Sequence, residues 1–133
     1  MKRLIACASV ICSIVALAAH AAEPPSGVKV LLTKPLHGIA GQEGTMLTVD
    51  IPPGAASPPH RHNANTFVYV LEGTVVMQVK GGPEVTVKAG ETFYESPTDI
   101  HSVSRNASTT APAKLLVVMT KPVGAPITVS AGK

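Results

Sequence analysis

The sequence predicts an all-β protein, built either as a sandwich or as a barrel. Short runs rich in valine and threonine recur along the chain, and turns containing glycine or proline separate them. Such residues suit a pleated, half-buried surface, and many short strands at regular spacing are typical of sandwiches and barrels. No convincing helix follows the N-terminal segment, no internal repeat is visible, and a chain of 133 residues suits one domain.

The first four predicted strands lie in the first 80 residues. They are VKVLL at 28–32, TMLTVDI at 45–51, TFVYVLE at 66–72 and TVVMQVK at 74–80. A proline-rich segment separates the second run from the third, and Gly73 stands between the third and the fourth. Glycine and proline at these points mark the ends of strands.

Five further strands complete the prediction. They are VTVK at 85–88, ETFYE at 91–95, HSVSRN at 101–106, KLLVVMT at 114–120 and ITVS at 127–130. The sequence KGGPE before the first of these predicts a hairpin turn, because two glycines supply positive φ. KAGET predicts another turn, and NASTTAPA is a polar loop before KLLVVMT.

The N-terminal segment has the layout of a secretory signal peptide. Two basic residues precede an uncharged, mostly apolar run from Leu4 to Ala19, and Ala19-His20-Ala21 fits a small-x-small cleavage site. We therefore expect residues 1–21 to be removed and residues 22–133 to form the mature, periplasmic or secreted domain. The apolar run is short for a transmembrane helix, so we expect no stable membrane insertion after cleavage; an uncleaved anchor is the alternative.

Charge and cysteine content exclude several kinds of site. Both cysteines, Cys7 and Cys12, lie in the predicted signal peptide, so the mature chain has no disulfide and no thiolate ligand. Eleven lysines and arginines, less Lys2 and Arg3, leave nine against eight acids, a net charge of +1. A charge so close to zero gives no indication of a nucleic-acid partner.

Two histidines, His60 and His62, stand one residue apart behind the proline-rich segment. Successive strand residues point to opposite faces, so two imidazoles at this spacing point to the same face. Imidazole binds zinc, copper, iron and nickel, and mixed sites with carboxylate or water also bind manganese. The prolines stiffen the approach, which a metal site requires. Surface histidines on a loop are the alternative interpretation.

The surrounding residues resemble the first motif of the cupin family. That motif reads glycine, five residues, His-x-His, three or four residues, glutamate, six residues, glycine. The chain has Gly54, His60, His62 and Gly73 at the matching spacings. Thr66 stands at the position of the glutamate.

The second cupin motif is matched chiefly by Gly90 and His101, which lie eleven residues apart as the motif requires. The other motif positions differ. Ser96 replaces the proline, Thr98 the glycine and Arg105 the asparagine. The resemblance covers about residues 45–120, most of the mature domain.

The resemblance implies a fold and a metal site. Cupins are jelly-roll barrels, also described as a double-stranded β-helix, in which three histidines and a glutamate typically hold a metal. By position, His60, His62 and His101 are similar to the three histidines. The Thr66 hydroxyl is neutral and a poor ligand for a divalent ion. A site without an acid there carries less negative charge, which favours anionic substrates.

Glu95 is the candidate to replace the missing acid. Strand parity puts Phe93 and Glu95 on one face, and in cupins that face looks into the barrel. A carboxylate inside an apolar barrel is costly unless it has a cation or a donor as partner. We interpret Glu95 as a fourth ligand or a close neighbour of the metal, with a solvated surface turn as the alternative. Asp99 and His37 are expected to be turn and loop residues.

The resemblance implies an exported metal-dependent enzyme, such as a dioxygenase, decarboxylase or isomerase, acting on a small molecule. It would hold one divalent transition metal: manganese, iron, nickel, copper or zinc. The alternative function is a non-catalytic cupin that binds a small ligand through a degenerate metal site. We also expect a homodimer, paired through the apolar runs VKVLL and KLLVVMT, and a pocket walled by residues such as Val68, Phe93 and Val103.

Overall fold

The computed structural model describes residues 27–131 of the chain. Within that range the protein consists of strands, turns and loops. Among these residues there is no helix whose length and apolar character would let it cross a membrane. The predicted signal peptide, residues 1–21, lies outside the described residues.

Eleven strands occur between residues 27 and 131, and they overlap all nine predicted runs. They are β1 (Val28–Pro35), β2 (Gln42–Ile51), β3 (Ala56–Ser57), β4 (His60–Arg61), β5 (Asn65–Glu72), β6 (Thr74–Val79), β7 (Val85–Lys88), β8 (Thr92–Glu95), β9 (His101–Asn106), β10 (Ala113–Pro122) and β11 (Val129–Ser130). The two strands that the sequence did not predict, β3 and β4, have two residues each. Both lie in the proline-rich segment, where strand propensity is low.

The strands form two antiparallel sheets. The five-stranded sheet has the order β1-β2-β10-β5-β8. The other sheet has the order β11-β4-β9-β6-β7, and β3 also pairs with β9. Neighbours that are distant in sequence, such as β2 and β10, are typical of jelly rolls. The all-β jelly-roll prediction is confirmed.

The core lies between the inner faces of the two sheets. In β10, buried and half-buried residues alternate along the strand. Val117 of β10 lies directly between Leu47 of β2 and Val68 of β5, and all three are buried. Val75 and Met77 of the other sheet belong to the same apolar cluster. Each such side chain contributes roughly 1.5–3 kcal/mol on burial.

An irregularity in β9 corrects one prediction. Met77 is opposite Ser104 and Gln78 is opposite Val103, but Val79 is opposite His101, so β9 contains one extra residue. Such a bulge reverses the inward and outward alternation of side chains beyond it. His101 and Ser104 therefore both line the interior cavity, whereas Val103 does not.

Candidate metal centre

A cavity of about 270 Å³ lies inside the barrel, between the two sheets. Much of its wall is the inner face of the five-stranded sheet, which presents eight apolar side chains: Val28, Leu47, Val49, Ile51, Val68, Leu115, Val117 and Met119. Eight polar residues also line it, among them Ser57, Ser104 and Thr128. We call the other five, His60, His62, Thr66, Glu95 and His101, the polar cluster. Phe93, predicted to line the pocket, instead packs against the core beside it.

The sheet brings the three histidines together. His60 in β4 is the direct cross-strand partner of His101, the first residue of β9. His62 follows β4, where Asn63 turns the chain with a φ of 49°, a conformation that asparagine tolerates better than most residues. One nitrogen of each ring lies within 4.8 Å of the others, so the three histidines can hold a metal ion.

Backbone carbonyl groups orient two of the imidazoles. His60 Nδ1 donates to the carbonyl oxygen of Pro58 at 2.8 Å, and His62 Nδ1 donates to that of Ile127 at 2.6 Å. Because a carbonyl only accepts hydrogen bonds, Nδ1 carries the proton in each neutral ring, and Nε2 keeps its lone pair. Hydrogen bonds of this kind fix the ring orientation of metal-binding histidines.

His101 is the most buried of the three histidines. It is 3 % exposed, and neither of its ring nitrogens has a hydrogen-bond partner among the described residues. Burial, together with the nearby His60 and His62, lowers the pKa of His101 to about 4. Burial is also the main cause that lowers the pKa of His62. Both rings are therefore held neutral near pH 7, the form that binds metals.

Glu95 lies beside these rings. It is 2 % exposed, and its Oε2 is 3.3 Å from His101 Nδ1 and 3.8 Å from His62 Nε2. Oε2 has no hydrogen-bond partner within residues 27–131. Burial, and to a smaller extent Asp99, raises the pKa of Glu95 to about 7. The solvated-turn alternative for Glu95 is therefore wrong, while its role as a metal ligand stays a prediction.

The register of the sheet explains how Glu95 can occupy the place of the missing acid. Thr66 of β5 is the direct cross-strand partner of Glu95 of β8, and both residues line the cavity. The Cβ atoms of such partners are about 5 Å apart. The carboxylate expected at position 66 is thus presented from the neighbouring strand, one cross-strand pair away.

Two other polar residues lie outside the cavity, as expected. Asp99 closes a turn, in which its Oδ2 accepts a hydrogen bond from the backbone N–H of Ser96 at 2.7 Å. His37 is exposed in the loop between β1 and β2. Sequence reasoning missed the carbonyl of Ile127, because 65 residues separate it from His62 and nothing in the sequence links the two positions.

The residues of the polar cluster fit a transition-metal ion. The rings of His62 and His101 are held neutral, and a carboxylate oxygen lies within 4 Å of both. Buried polar atoms are normally hydrogen-bonded, yet Glu95 Oε2 and both nitrogens of His101 lack partners in the described part of the chain. A cation bound by Glu95 Oε2 and by one nitrogen of His101 satisfies those two atoms. Nitrogen and carboxylate donors suit first-row transition metals.

Comparison with known proteins identifies the family. The Cupin domain family matches residues 47–119, more than half of the chain. The chain therefore belongs to the cupin family. No curated protein gives a significant match to the sequence.

Solved structures with a similar fold agree with the jelly-roll architecture. An uncharacterized conserved protein with a double-stranded β-helix domain from Klebsiella pneumoniae has a TM-score of 0.61 at 20% identity, covering 85% of this chain and 92% of that chain. The DMSP lyase DddQ from Ruegeria pomeroyi has a TM-score of 0.60 at 20% identity, covering 68% of this chain and 45% of that chain.

An oxalate oxidase in complex with the substrate analogue glycolate has a TM-score of 0.60 at 25% identity, covering 91% of this chain and 63% of that chain. The chain thus spans less than two thirds of the lyase and oxidase chains.

Proposed function

We propose that this cupin holds one divalent transition metal through His60, His62, His101 and Glu95, and that the metal acts on a small molecule in the barrel cavity. The observation that carries the proposal is Glu95. Its carboxyl group is buried against two neutral histidines without a cation or a donor to compensate it. Burying a carboxylate in this way is unfavourable, and a bound metal ion removes the penalty.

When bound, the metal would supply a Lewis acid that polarises an oxygen atom of the substrate. The residues of the chain perform the remaining tasks. The carbonyls of Pro58 and Ile127 hold two imidazoles in the orientation that binding requires. The apolar wall limits the access of water, which strengthens electrostatic interactions inside the cavity.

The enzyme classes that we propose are dioxygenase, decarboxylase and isomerase. The likeness to an oxalate oxidase at 25% identity supports small-molecule chemistry at such a site. One observation favours the non-catalytic alternative. No lysine, arginine, tyrosine or cysteine lines the cavity in the described range, so any general acid or base must come from the polar cluster itself.

We also propose that the protein is exported and that it forms a homodimer. The composition of residues 1–21 supports export. The dimer interface needs a correction. KLLVVMT lies in β10, between β2 and β5, so this strand has no free edge. VKVLL lies in the edge strand β1, where Val30, Leu31 and Leu32 are exposed, and β1 is the strand that can meet a second copy.

Metal analysis of the purified protein tests the proposed function. We expect close to one transition-metal ion per chain after purification without chelators, and a sharp loss in His62→Ala. His37→Ala is the matched control, because His37 is an exposed loop histidine. Equal metal content in His62→Ala and the wild type would contradict the proposal, as would a wild-type protein that refuses added metal.

A further inference from the structure

The Thr66 hydroxyl is a buried polar group of the cavity that neither the hydrogen bonds of the fold nor the proposed metal ligands explain. Thr66 is 1 % exposed, and its Oγ1 has no hydrogen-bond partner among the described residues. Its backbone is already positioned by pairing with Met119 on one side and Glu95 on the other. A valine of nearly the same shape would fill the space without burying an unpaired hydroxyl.

The position of Thr66 assigns its hydroxyl to a ligand. Thr66 is the direct cross-strand partner of Glu95, so the hydroxyl lies beside the carboxyl group that faces the histidines. Three other residues with hydroxyl groups line the cavity: Ser57, Ser104 and Thr128. Ser57 is exposed and the other two are half-buried, so none of the three is a buried hydroxyl that lacks a partner. Of the described hydroxyl groups that line the cavity, that of Thr66 alone is an unused, water-shielded donor.

The charges in the cavity limit the ligand to one negative charge. No lysine or arginine of the described chain lines the cavity, and the carboxyl group there belongs to Glu95. A divalent ion with one ionised carboxylate leaves a charge of +1, which a single anionic group balances. A second anionic group on the ligand would be buried without a partner, which is strongly unfavourable.

The cavity wall determines the rest of the ligand. Thr66 and Val68 lie two residues apart on the same face of β5, and Val68 continues across the sheet into Val117 and Leu47. These apolar side chains form a surface that leads away from the hydroxyl. A cavity of about 270 Å³ accommodates a molecule of several carbon atoms on that surface.

We propose that the cavity binds a small monocarboxylate with an apolar body, and that Thr66 Oγ1 donates a hydrogen bond to its carboxylate. The apolar body lies against Val68, Val117 and Leu47. Thr66 is in this sense a specificity-determining residue. The proposal rests on the metal site of the proposed function and adds to it the class of ligand.

Calorimetric titration of zinc-loaded protein with hexanoate tests the proposal. Hexanoate has one carboxylate and an apolar chain, and succinate is the dianionic comparison. We expect hexanoate to bind and succinate to bind at least about tenfold more weakly. Thr66→Val should weaken hexanoate binding by about tenfold or more, because a hydrogen bond to a charged group is lost. Thr66→Ser keeps the hydroxyl and should stay within about threefold of the wild type.

Zinc content and thermal unfolding of each variant separate the possible failures. A wild-type protein that binds no zinc overturns the proposed function and this inference together. Zinc-loaded Thr66→Val that unfolds like the wild type and binds hexanoate equally well overturns the role of Thr66 alone. Succinate binding as tight as hexanoate binding, or no binding of either, overturns the ligand class.

Discussion

Two buried acids of the same sheet, Glu43 and Glu95, have opposite surroundings. Glu43 of β2 has Lys121 of β10 as its direct cross-strand partner, and the Lys121 ammonium donates to Glu43 Oε1. Lys121 Nζ also donates to the carbonyl of Ala125 at 2.7 Å. Glu95 of β8 has Thr66 as its direct partner, and its Oε2 has no hydrogen-bond partner between residues 27 and 131.

The difference shows which buried acid is structural. At Glu43 the chain provides its own cation, so the two charges compensate each other inside the protein. At Glu95 the neighbouring groups are neutral imidazoles and a hydroxyl, and burial raises the pKa of the acid to about 7. A carboxyl group kept in such a position is expected where an external cation binds.

The largest expected effect follows from breaking the Glu43 pair. Lys121→Met leaves the Glu43 carboxylate buried without its cation, which should lower the free energy of unfolding by about 3–5 kcal/mol. Urea denaturation at pH 7 measures the loss. The double variant Glu43→Gln with Lys121→Met should recover much of it, because no unpaired charge remains. A loss well under 1 kcal/mol in the single variant would remove the contrast between the two acids.

At Glu95 in the metal-free protein, removing the acid should stabilise the fold at high pH, whereas unpairing Glu43 should destabilise it. Burial raises the pKa of Glu95 from 4.5 to about 7, so the folded state binds its proton more tightly than the unfolded state. The stability that this provides is fully present below pH 4.5 and is lost as the pH rises through about 7. The total change is roughly 3 kcal/mol. Glu95→Gln lacks this dependence.

The pH dependence caused by Glu95 is measured from the unfolding free energies of the wild type and of Glu95→Gln between pH 4 and 9. The variant should become more stable relative to the wild type as the pH rises. His101, whose pKa is lowered to about 4, destabilises both proteins as the pH falls below 6.5. Because Glu95 Oε2 lies 3.3 Å from His101 Nδ1, the difference above pH 6.5, where His101 is neutral in both states, is the part that reports on Glu95. A difference that does not change with pH would mean that Glu95 is not a costly buried acid.

The strands were predictable because their residues carry local signals. Short β-type runs separated by turns that contain glycine or proline predicted nine strands, and all nine overlap strands of the structure. Alternation placed Glu95 inside the barrel. Val103 was misplaced because the bulge beside it depends on how β9 pairs with β6. The short β4 was missed because pairing with β9 and β11, and not the propensity of its own residues, makes it a strand.

Some features of the candidate site could likewise be predicted from local sequence, and others depend on the tertiary structure. His60, His62 and His101 were found through motif spacing, whereas the orientation of His62 depends on a carbonyl 65 residues away. Strand parity nominated Glu95 to replace the acid missing at Thr66, whereas the direct pairing of these two residues is visible only in the register of β5 and β8. Register is a tertiary property, since the hydrophobic pattern restricts it without naming the partner of each residue.

That register leads to the most specific prediction. Because Thr66 and Glu95 are direct partners that both line the cavity, the acid should function from either strand. Glu95→Thr should lower zinc affinity by at least about tenfold, since loss of even an indirect partner of a metal ligand costs that much. Adding Thr66→Glu should restore affinity to within about threefold of the wild type. Competition with a chromophoric chelator measures both values.

The matched control for this exchange is Glu95→Thr combined with Tyr69→Glu. Tyr69 lies on the same strand as Thr66 but is exposed on the outer face of the sheet, so an acid there cannot reach the histidines. If this control restores zinc affinity as well as Thr66→Glu does, the recovery reflects overall charge. If neither variant restores zinc affinity, the metal requires a carboxylate on β8. An acid at position 66, where the first cupin motif has its glutamate, then cannot replace Glu95. Recovery by Thr66→Glu alone would place the acid of this cupin one cross-strand pair from its usual position.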